Sequence, residues 1–560
     1  MYHLPVAGLS IVYPGIDYIN RIIYLRHWYS REYNDEPNKF NIAIFELLMS
    51  KKYIISYDFG TSSVKAALID DNGNIVADSH CHYPLYLPQP GWAEQDPADW
   101  WNAMQAVTTR LISVSGYPAS SIIALSICAQ MCGVLPVNKY GIYLSNCLIW
   151  LDTRSREIAQ HITHGALRVS GYGLLPLLRW LKYTNGAPNL SGRDPVSKIL
   201  WLKKYKPELW SNTAKILDVK DYLVYRCCKR FTTTPDCAHL TWLMDSRPQK
   251  ICWSDNLLSH LDIDQGLLPE ICRSEETVGE LVQEAASDLG LTAGIPIIAG
   301  AGDLTASALG AGSLLESEPH LHIGSSAWLG VHLNHRKVDV INGIGTICSA
   351  DTSKYLLVAA QQTGALCLDW ACSAFGIMGH DNKPDYWRFN KMAAESPAGA
   401  RGLVFLPWLL GECVPNNIPE GSAGFINLSS KHGLQDIFRS ILEGVALNIL
   451  WAHKAINKHM KSIENIRFFG GGAYSDIWCQ ILADTFELPI QRIDKPNLAG
   501  VSGAAMLASL AVGWQNNLTE AVKTAKINTI FNPDNNNANC YKQNYDKFLE
   551  HYKRNKSTYL

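Results

Sequence analysis

The chain has 560 residues, 47% of them hydrophobic and 18% charged, with a formal net charge of −2. That length exceeds what one hydrophobic core serves, so two or more domains are expected, and a near-neutral balance with no long basic tract gives no footing for nucleic acid. No apolar run reaches the roughly 20 residues of a membrane helix, and the 15 cysteines show neither C-x-x-C nor zinc-type spacing, which favours reduced thiols and a cytoplasmic setting.

Residues 1–48 lack clean periodicity and precede Met49-Ser50-Lys51-Lys52-Tyr53, which reads as a start running into a strand. They are expected to be a non-native or disordered extension arising from a mis-called initiation site, with a short accessory helix or a targeting segment as alternatives. The following pattern is strand Tyr53 to Tyr57, a turn, strand Val64 to Ile69, an Asn72-Gly73 reversal, and strand Ile75 to Ala77. Asp96 as N-cap with Pro97 at the first helical position starts a helix to about Val114, and strand Ile122 to Cys128 follows. Strand Ile295 to Ala299 leads through glycines into the Ala-rich stretch Leu304 to Leu309, and new strands begin at Leu321-His322-Ile323. The boundary between domains is expected at 312–320, giving a first domain over 51–312, a second over 319–513 and a tail, packed or partly flexible, over 514–560. In the second half Leu434, Ile437, Phe438, Ile441, Leu442, Val445 and Ile449 recur at helical spacing, and strand Ile466 to Phe469 passes through Gly470-Gly471-Gly472 into a helix carrying Trp478 and Ile481. The fold class is α/β.

Four turns in this order carry chemistry. Asp58-Phe59-Gly60-Thr61-Ser62-Ser63 follows an apolar strand and offers N–H groups and hydroxyls to an anion, while Asp58 suits a divalent cation. Gly300-Ala301-Gly302-Asp303 presents a lone carboxylate that could meet a substrate hydroxyl or cap its own helix. Gly324-Ser325-Ser326-Ala327 and Gly470-Gly471-Gly472-Ala473 complete the set, and together the four look like the parts of a phosphoryl-transfer site. Neither G-x-x-x-x-G-K-[ST] nor G-x-G-x-x-G occurs, which removes the P-loop and Rossmann readings.

These turns, with Pro90-Gly91-Trp92-Ala93-Glu94-Gln95-Asp96-Pro97, Lys198-Ile199-Leu200-Trp201-Leu202 and Asp476 with Trp478, resemble the FGGY family of carbohydrate kinases from about Tyr53 to Gly513. The resemblance implies two actin-like (ribonuclease H-like) domains flanking a cleft for ATP and a sugar, and ATP-dependent phosphorylation of a sugar hydroxyl. It implies Asp303 as general base, Asp58 as the Mg2+ ligand, and Gly60, Thr61, Ser62, Ser63, Gly324, Ser325 and Ser326 on the phosphates. Gly364, Gly471, Gly472, Ala473 and Asp476 fall on the nucleotide side, Gly364 being equally readable as a packing glycine. Ala129-Gln130-Met131-Cys132-Gly133 and Ile149-Trp150-Leu151-Asp152-Thr153-Arg154 resemble the sugar-pocket segments of the family's xylulokinases. They place Gln130, Met131, Cys132, Trp150, Asp152 and Asp303 on the substrate; Trp92 stands between pocket and core. Cys132 occupies a position where those kinases carry His, so a weak S–H donor replaces an imidazole. Acceptors other than xylulose, among them ribulose, gluconate and sugar alcohols, remain open, as do a nucleotide-binding sensor on the same scaffold and a homodimer. The segment Ser170 to Asp194 is expected to shape the pocket entrance.

Overall fold

The computed structural model describes residues 51–558 apart from 341, 413, 417, 419–420 and 458–462. The expectation for residues 1–48 lies outside the described residues.

Strands β1 (Tyr53–Phe59), β2 (Ser63–Ile69) and β3 (Ile75–His82) form an antiparallel meander. Helix α1 (Pro97–Ser115), capped by Asp96 on the Ala98 N–H at 2.8 Å, crosses to β4 (Ile122–Ala129), which returns parallel to β1. β3 runs past the expected Ala77 because it is an edge strand whose faces alternate between half-buried and exposed, so its Asp78, Ser79, His80 and His82 carry no apolar signal. The chain then leaves the sheet for helices that include α2 (Pro195–Tyr205) and α3 (Val219–Cys228) before adding β5 (Thr277–Glu280), β6 (Pro296–Ile298) and the short β7 (Ala301–Gly302). The finished sheet has seven strands in the order β5-β6-β4-β1-β2-β3, with β7 beside β4, and β7 runs straight into helix α4 (Asp303–Gly310).

The second half repeats the plan. β8 (His320–Ile323) and β9 (Ala327–Leu333) are antiparallel; β10 (Val338–Asp339), β11 (Ile344–Cys348) and β12 (Tyr355–Gln361) extend that side of the sheet. Helix α5 (Leu434–Ile456) buries Phe438, Ile441, Leu442, Val445 and Ile449 of the expected face but leaves Leu434 exposed, and it crosses to β13 (Ile466–Phe469), parallel to β8 as β4 is to β1. Helix α6 (Asp476–Phe486), β14 (Ile490–Ile493) and helix α7 (Ala499–Ala511) follow, and residues past 513 supply β15 (Ile527–Phe531) at the sheet edge and helix α8 (Ala538–Asn555), which buries Tyr541, Tyr545, Phe548 and Tyr552. The eight strands lie in the order β10-β11-β12-β9-β8-β13-β14-β15. In both halves a serine-bearing turn joins the first two strands of the meander.

α7 falls between the last two strands of the second sheet in sequence but packs on the first. Val501, Ala504, Leu507 and Ala508 share one buried cluster with Ile54, Ala124, Ile298, Ala306 and Leu309. α4 and α7 approach so closely that a Cβ on Gly310 would meet Ala499 O at 1.9 Å and one on Gly503 would meet Ala306 O at 1.8 Å. Glycine at both crossings lets the backbones touch.

Candidate active site

The ends of three neighbouring strands of the first sheet converge here. Asp58, half-buried near the end of β1, pairs in register with Lys65 on β2 and Cys128 on β4. Burial pushes its carboxyl up, and the Lys65 charge and a hydrogen bond with the Cys128 thiol partly offset that rise. Asp303, the first residue of α4, is also half-buried, and its Oδ1 accepts the Leu304 N–H at 2.9 Å. Its carboxyl is pushed up to about 8, first by burial and next by the negative charge of Asp58. The two acids therefore sit close enough to repel each other.

The β1–β2 turn is held from below. Gly60 N–H bonds Ser63 O at 3.0 Å, the Tyr83 hydroxyl donates to Gly60 O, Gln95 Nε2 to Thr61 O at 2.6 Å, and Trp150 Nε1 to Thr61 Oγ1 at 2.9 Å. Among the described residues the Thr61 and Ser62 N–H groups have no acceptor, and Ser62 is exposed, so the turn offers unpaired donors to an anion. In the second half Gly324 N–H bonds Ser326 O at 2.9 Å, and Ser325 is exposed. Gly364 backs this turn: its N–H donates to Ser325 O at 2.7 Å, and a Cβ there would lie 2.7 Å from Ser326 O.

Gly470, at φ 92°, turns the chain after β13, with no room for a Cβ beside Ile323 O at 2.6 Å. Gly471 is exposed with nothing within 4 Å of a would-be Cβ, whereas Gly472 and Ala473 are buried. Asp476, placed on the nucleotide side by resemblance, lies on the surface with its carboxylate 2.5 Å from Arg492. A carboxylate so paired has one oxygen committed.

Gln130 and Met131 follow β4 directly. Gln130 Nε2 donates to Gln95 Oε1 at 2.6 Å, and Met131 packs beneath Gly302, where a Cβ would meet its Sδ at 2.3 Å. Met131 is buried as the floor of the Asp303 turn rather than exposed as a pocket wall. Cys132 takes φ 68°, and Asp218 holds that strained turn by accepting the Cys132 N–H at 3.1 Å and the Gly133 N–H at 2.8 Å. Burial pushes the Cys132 thiol well up, so it remains S–H. Trp150 is half-buried with its indole on the Thr61 turn, which links the two turns. Asp152 departs from its expected place on the substrate: it has no exposed surface, and its carboxylate accepts the Ala93 N–H at 2.7 Å and Arg154 Nε at 2.9 Å. Arg154 in turn bonds Glu94 at 2.6 Å and lies 3.6 Å from the Trp92 ring centre, so Trp92 belongs to this buried ion cluster.

Three residues outside the expected set hold the site together. Asp236, fully buried, accepts the Gly302 N–H at 2.7 Å and the Thr305 hydroxyl, one on each side of Asp303. Lys198 of α2, also fully buried, donates to Cys132 O at 3.1 Å and Ile149 O at 2.6 Å, and burial lowers its ammonium. Gln95 joins the Thr61 turn to Gln130. Lys198 and Gln95 stand inside the motifs that carry the resemblance, but only the three-dimensional bonds show their work; Asp236 had no sequence signal. The segment Ser170 to Asp194 reaches across to the second half, where Asn185 Nδ2 donates to Lys337 O at 2.7 Å and Arg193 to Gln362 at 3.3 Å.

Residues 53–310 match the N-terminal domain model of the FGGY family of carbohydrate kinases, and residues 321–512 match its C-terminal domain model. The chain belongs to the FGGY family of carbohydrate kinases. It is accordingly a two-domain kinase that uses ATP to phosphorylate a carbohydrate. This FGGY kinase is 28% identical over 512 residues to the xylulose kinase of Staphylococcus epidermidis, covering 91% of this chain and 98% of that protein. Its fold is similar to the crystal structures of a gluconate kinase and of a ligand-bound xylulose kinase, both from Lactobacillus acidophilus. Each is 26% identical with a TM-score of 0.80 and covers 91% of this chain and 99% of the other.

Proposed function

We propose that this FGGY kinase transfers the γ-phosphoryl group of ATP to a hydroxyl of a pentulose, xylulose being the acceptor named for its curated relatives. The observation that carries the reading is the pair of half-buried, mutually repelling carboxylates, Asp58 and Asp303, beside a turn with unpaired N–H groups. Asp303 acts as general base: the acceptor O–H donates to its carboxylate, the proton moves to Asp303 as the oxygen bonds the γ-phosphorus, and the bond from that phosphorus to ADP breaks. With its carboxyl near 8 Asp303 is largely protonated at neutral pH in the free protein, and offsetting the opposing charge of Asp58 would lower it so that it is ionised and able to take the proton.

Asp58 fits a magnesium ion, because its carboxylate is only partly buried and the hydrogen bond it accepts among the described residues comes from a weak thiol donor. Magnesium bound there neutralises charge on the phosphates. Thr61, Ser62, Ser63, Ser325 and Ser326 bind phosphate oxygens, Gly471 leaves room for the nucleotide, and closure of the two halves excludes water, itself a competing acceptor. The cytoplasm, where ATP and reduced thiols coexist, is the setting we assign; the described cysteines are all free. The test is ADP release with Mg-ATP across pentuloses, hexuloses, polyols and aldonates, with Asp303→Ala as control. One acceptor that stimulates the wild type and not the variant supports the assignment, and turnover retained in Asp303→Ala overturns it.

A further inference from the structure

Two oxygens that no donor among the described residues uses flank the turn Gln130–Gly133. The first is Gln130 Oε1, on a side chain only 3% exposed, which has no hydrogen-bond partner among the described residues. The surrounding network fixes which end of the amide this is. Trp100 Nε1 can only donate, and it points at Gln95 Oε1 at 3.2 Å; Gln95 Nε2 donates to Thr61 O. Gln130 must therefore turn its amide nitrogen to Gln95 Oε1 and leave its own oxygen bare. A buried acceptor without a donor is unfavourable until something donates to it.

The second oxygen belongs to Asp194. Its Oδ2 accepts both the Asn189 N–H at 2.6 Å and the Trp242 indole N–H at 2.7 Å, whereas Oδ1 accepts nothing among the described residues. Asp194 occupies the N-cap position of α2 without capping it. Lys198, one turn further along α2, anchors the helix to Cys132 O, and Pro195 and Gly133 line one cavity, so the start of α2 abuts the Cys132 turn. Of the charges acting on the Cys132 thiol, that of Asp194 is the largest. Asp194 is thus pinned by one oxygen beside the pocket with the other left over.

Of the two cations nearby, Lys198 is committed and Arg193 keeps its buried Nε without a partner among the described residues. Lys198 has no exposed surface and gives its protons to two carbonyls, and Arg193 directs its NH1 to Gln362 of the second half. Two bare acceptor oxygens suit a ligand rich in hydroxyl donors, and the Asp194 carboxylate disfavours a second carboxylate beside it.

We propose that Asp194 and Gln130 each accept a hydroxyl of the acceptor sugar, and that Asp194 is the specificity-determining residue that restricts this kinase to neutral polyhydroxylated acceptors over aldonates. The proposal rests on the kinase reading above. In the expected result, wild type phosphorylates a ketopentose with kcat/KM at least 10-fold above that for gluconate. Asp194→Asn raises the KM for the ketopentose roughly 10-fold to 100-fold with the KM for ATP unchanged, and narrows the preference over gluconate by the same order. Trp242→Phe, which frees the Asp194 carboxylate to turn, shifts the acceptor KM in the same direction by less, and so checks the idea should the Asp194 variant fold poorly. An unchanged acceptor KM in both variants, or a wild type that prefers gluconate, overturns the proposal. A wild type that binds ATP yet phosphorylates neither acceptor overturns this proposal and, if the wider panel of acceptors is silent as well, the kinase reading beneath it.

Discussion

Replacing Asp236 by alanine is expected to disable the kinase although Asp236 is fully buried. Its Oδ2 holds the Gly302 N–H at 2.7 Å and the Thr305 hydroxyl, and its Oδ1 takes the Thr234 hydroxyl at 2.6 Å. Each bond to a charged acceptor contributes about 1.5–3 kcal/mol. The Thr305 hydroxyl can fall back on Gly302 O at 3.2 Å, so the net loss is smaller than the sum, about 3–5 kcal/mol, much of it from the stranded Gly302 N–H. That N–H immediately precedes Asp303, and a shift of the base by about 1 Å costs on the order of 100-fold in rate. Asp236→Asn keeps one acceptor for Gly302 and lands between wild type and alanine. The assay is kcat and both KM values, read beside thermal melting to correct for unfolded protein. If Asp236→Ala keeps kcat within about 3-fold of wild type per folded molecule, the claim that Asp236 aims Asp303 is wrong.

Asp303→Ala is expected to lower kcat by about 10²–10⁴-fold while binding of ATP, followed by calorimetry, is retained; loss of ATP binding would mean that Asp303 holds up the cleft instead. In the free enzyme the acid limb of kcat/KM lies near pH 8, because Asp303 accepts a proton only when ionised and its carboxyl is pushed up to about 8. Asp58→Asn removes the second-largest cause of that rise, so on its residual turnover the limb moves to lower pH; a limb that stays put denies the coupling of the two acids. Gly503→Ala drives a methyl to within 1.8 Å of Ala306 O and should cost about 1–3 kcal/mol, seen as a lowered melting temperature. Gly471→Ala meets nothing within 4 Å, so it leaves the melting temperature alone and raises only the KM for ATP.

The sequence was most legible where local chemistry repeats a pattern. Asp96-Pro97 announced α1, the apolar stripe from Leu434 announced α5, and the acid-and-glycine turns marked the ends of β1 and β7. β3 was cut short because half of an edge strand faces water and reads as polar. Asp152 was placed on the substrate because its segment, Ile149 to Arg154, resembles a sugar-pocket segment of xylulokinases. Its partners Ala93 and Arg154 identify it as buried, and the Ala93 bond is made across 59 positions of sequence. Asp236 was silent for the same reason: its work is done on Gly302, 66 positions away. Side chains that act on distant backbone leave no periodic trace.

The placement of α7 limits how the two halves can move. Gly500, its second residue, lies over Asp58 so closely that a Cβ would come within 2.7 Å of Oδ2, and the rest of the helix is buried against β1, β4 and α4. Burial of Val501 and Leu507 alone contributes on the order of 3–6 kcal/mol, which a closing motion cannot give up at each turnover. On the other side of the molecule the Cys348 N–H of β11 donates to the buried His239 at 2.8 Å, and Asn185 bonds Thr346 at 2.8 Å. Arg193 to Gln362 and Lys495 to Asp78 at 2.9 Å link the halves as well, so a rotation about the α4–α7 layer would keep that layer's apolar contacts and loosen only polar links. Asp58 and Asp303 sit next to that layer, so a rotation that brings the Ser325 turn toward the Thr61 turn leaves the spacing of the two acids nearly unchanged.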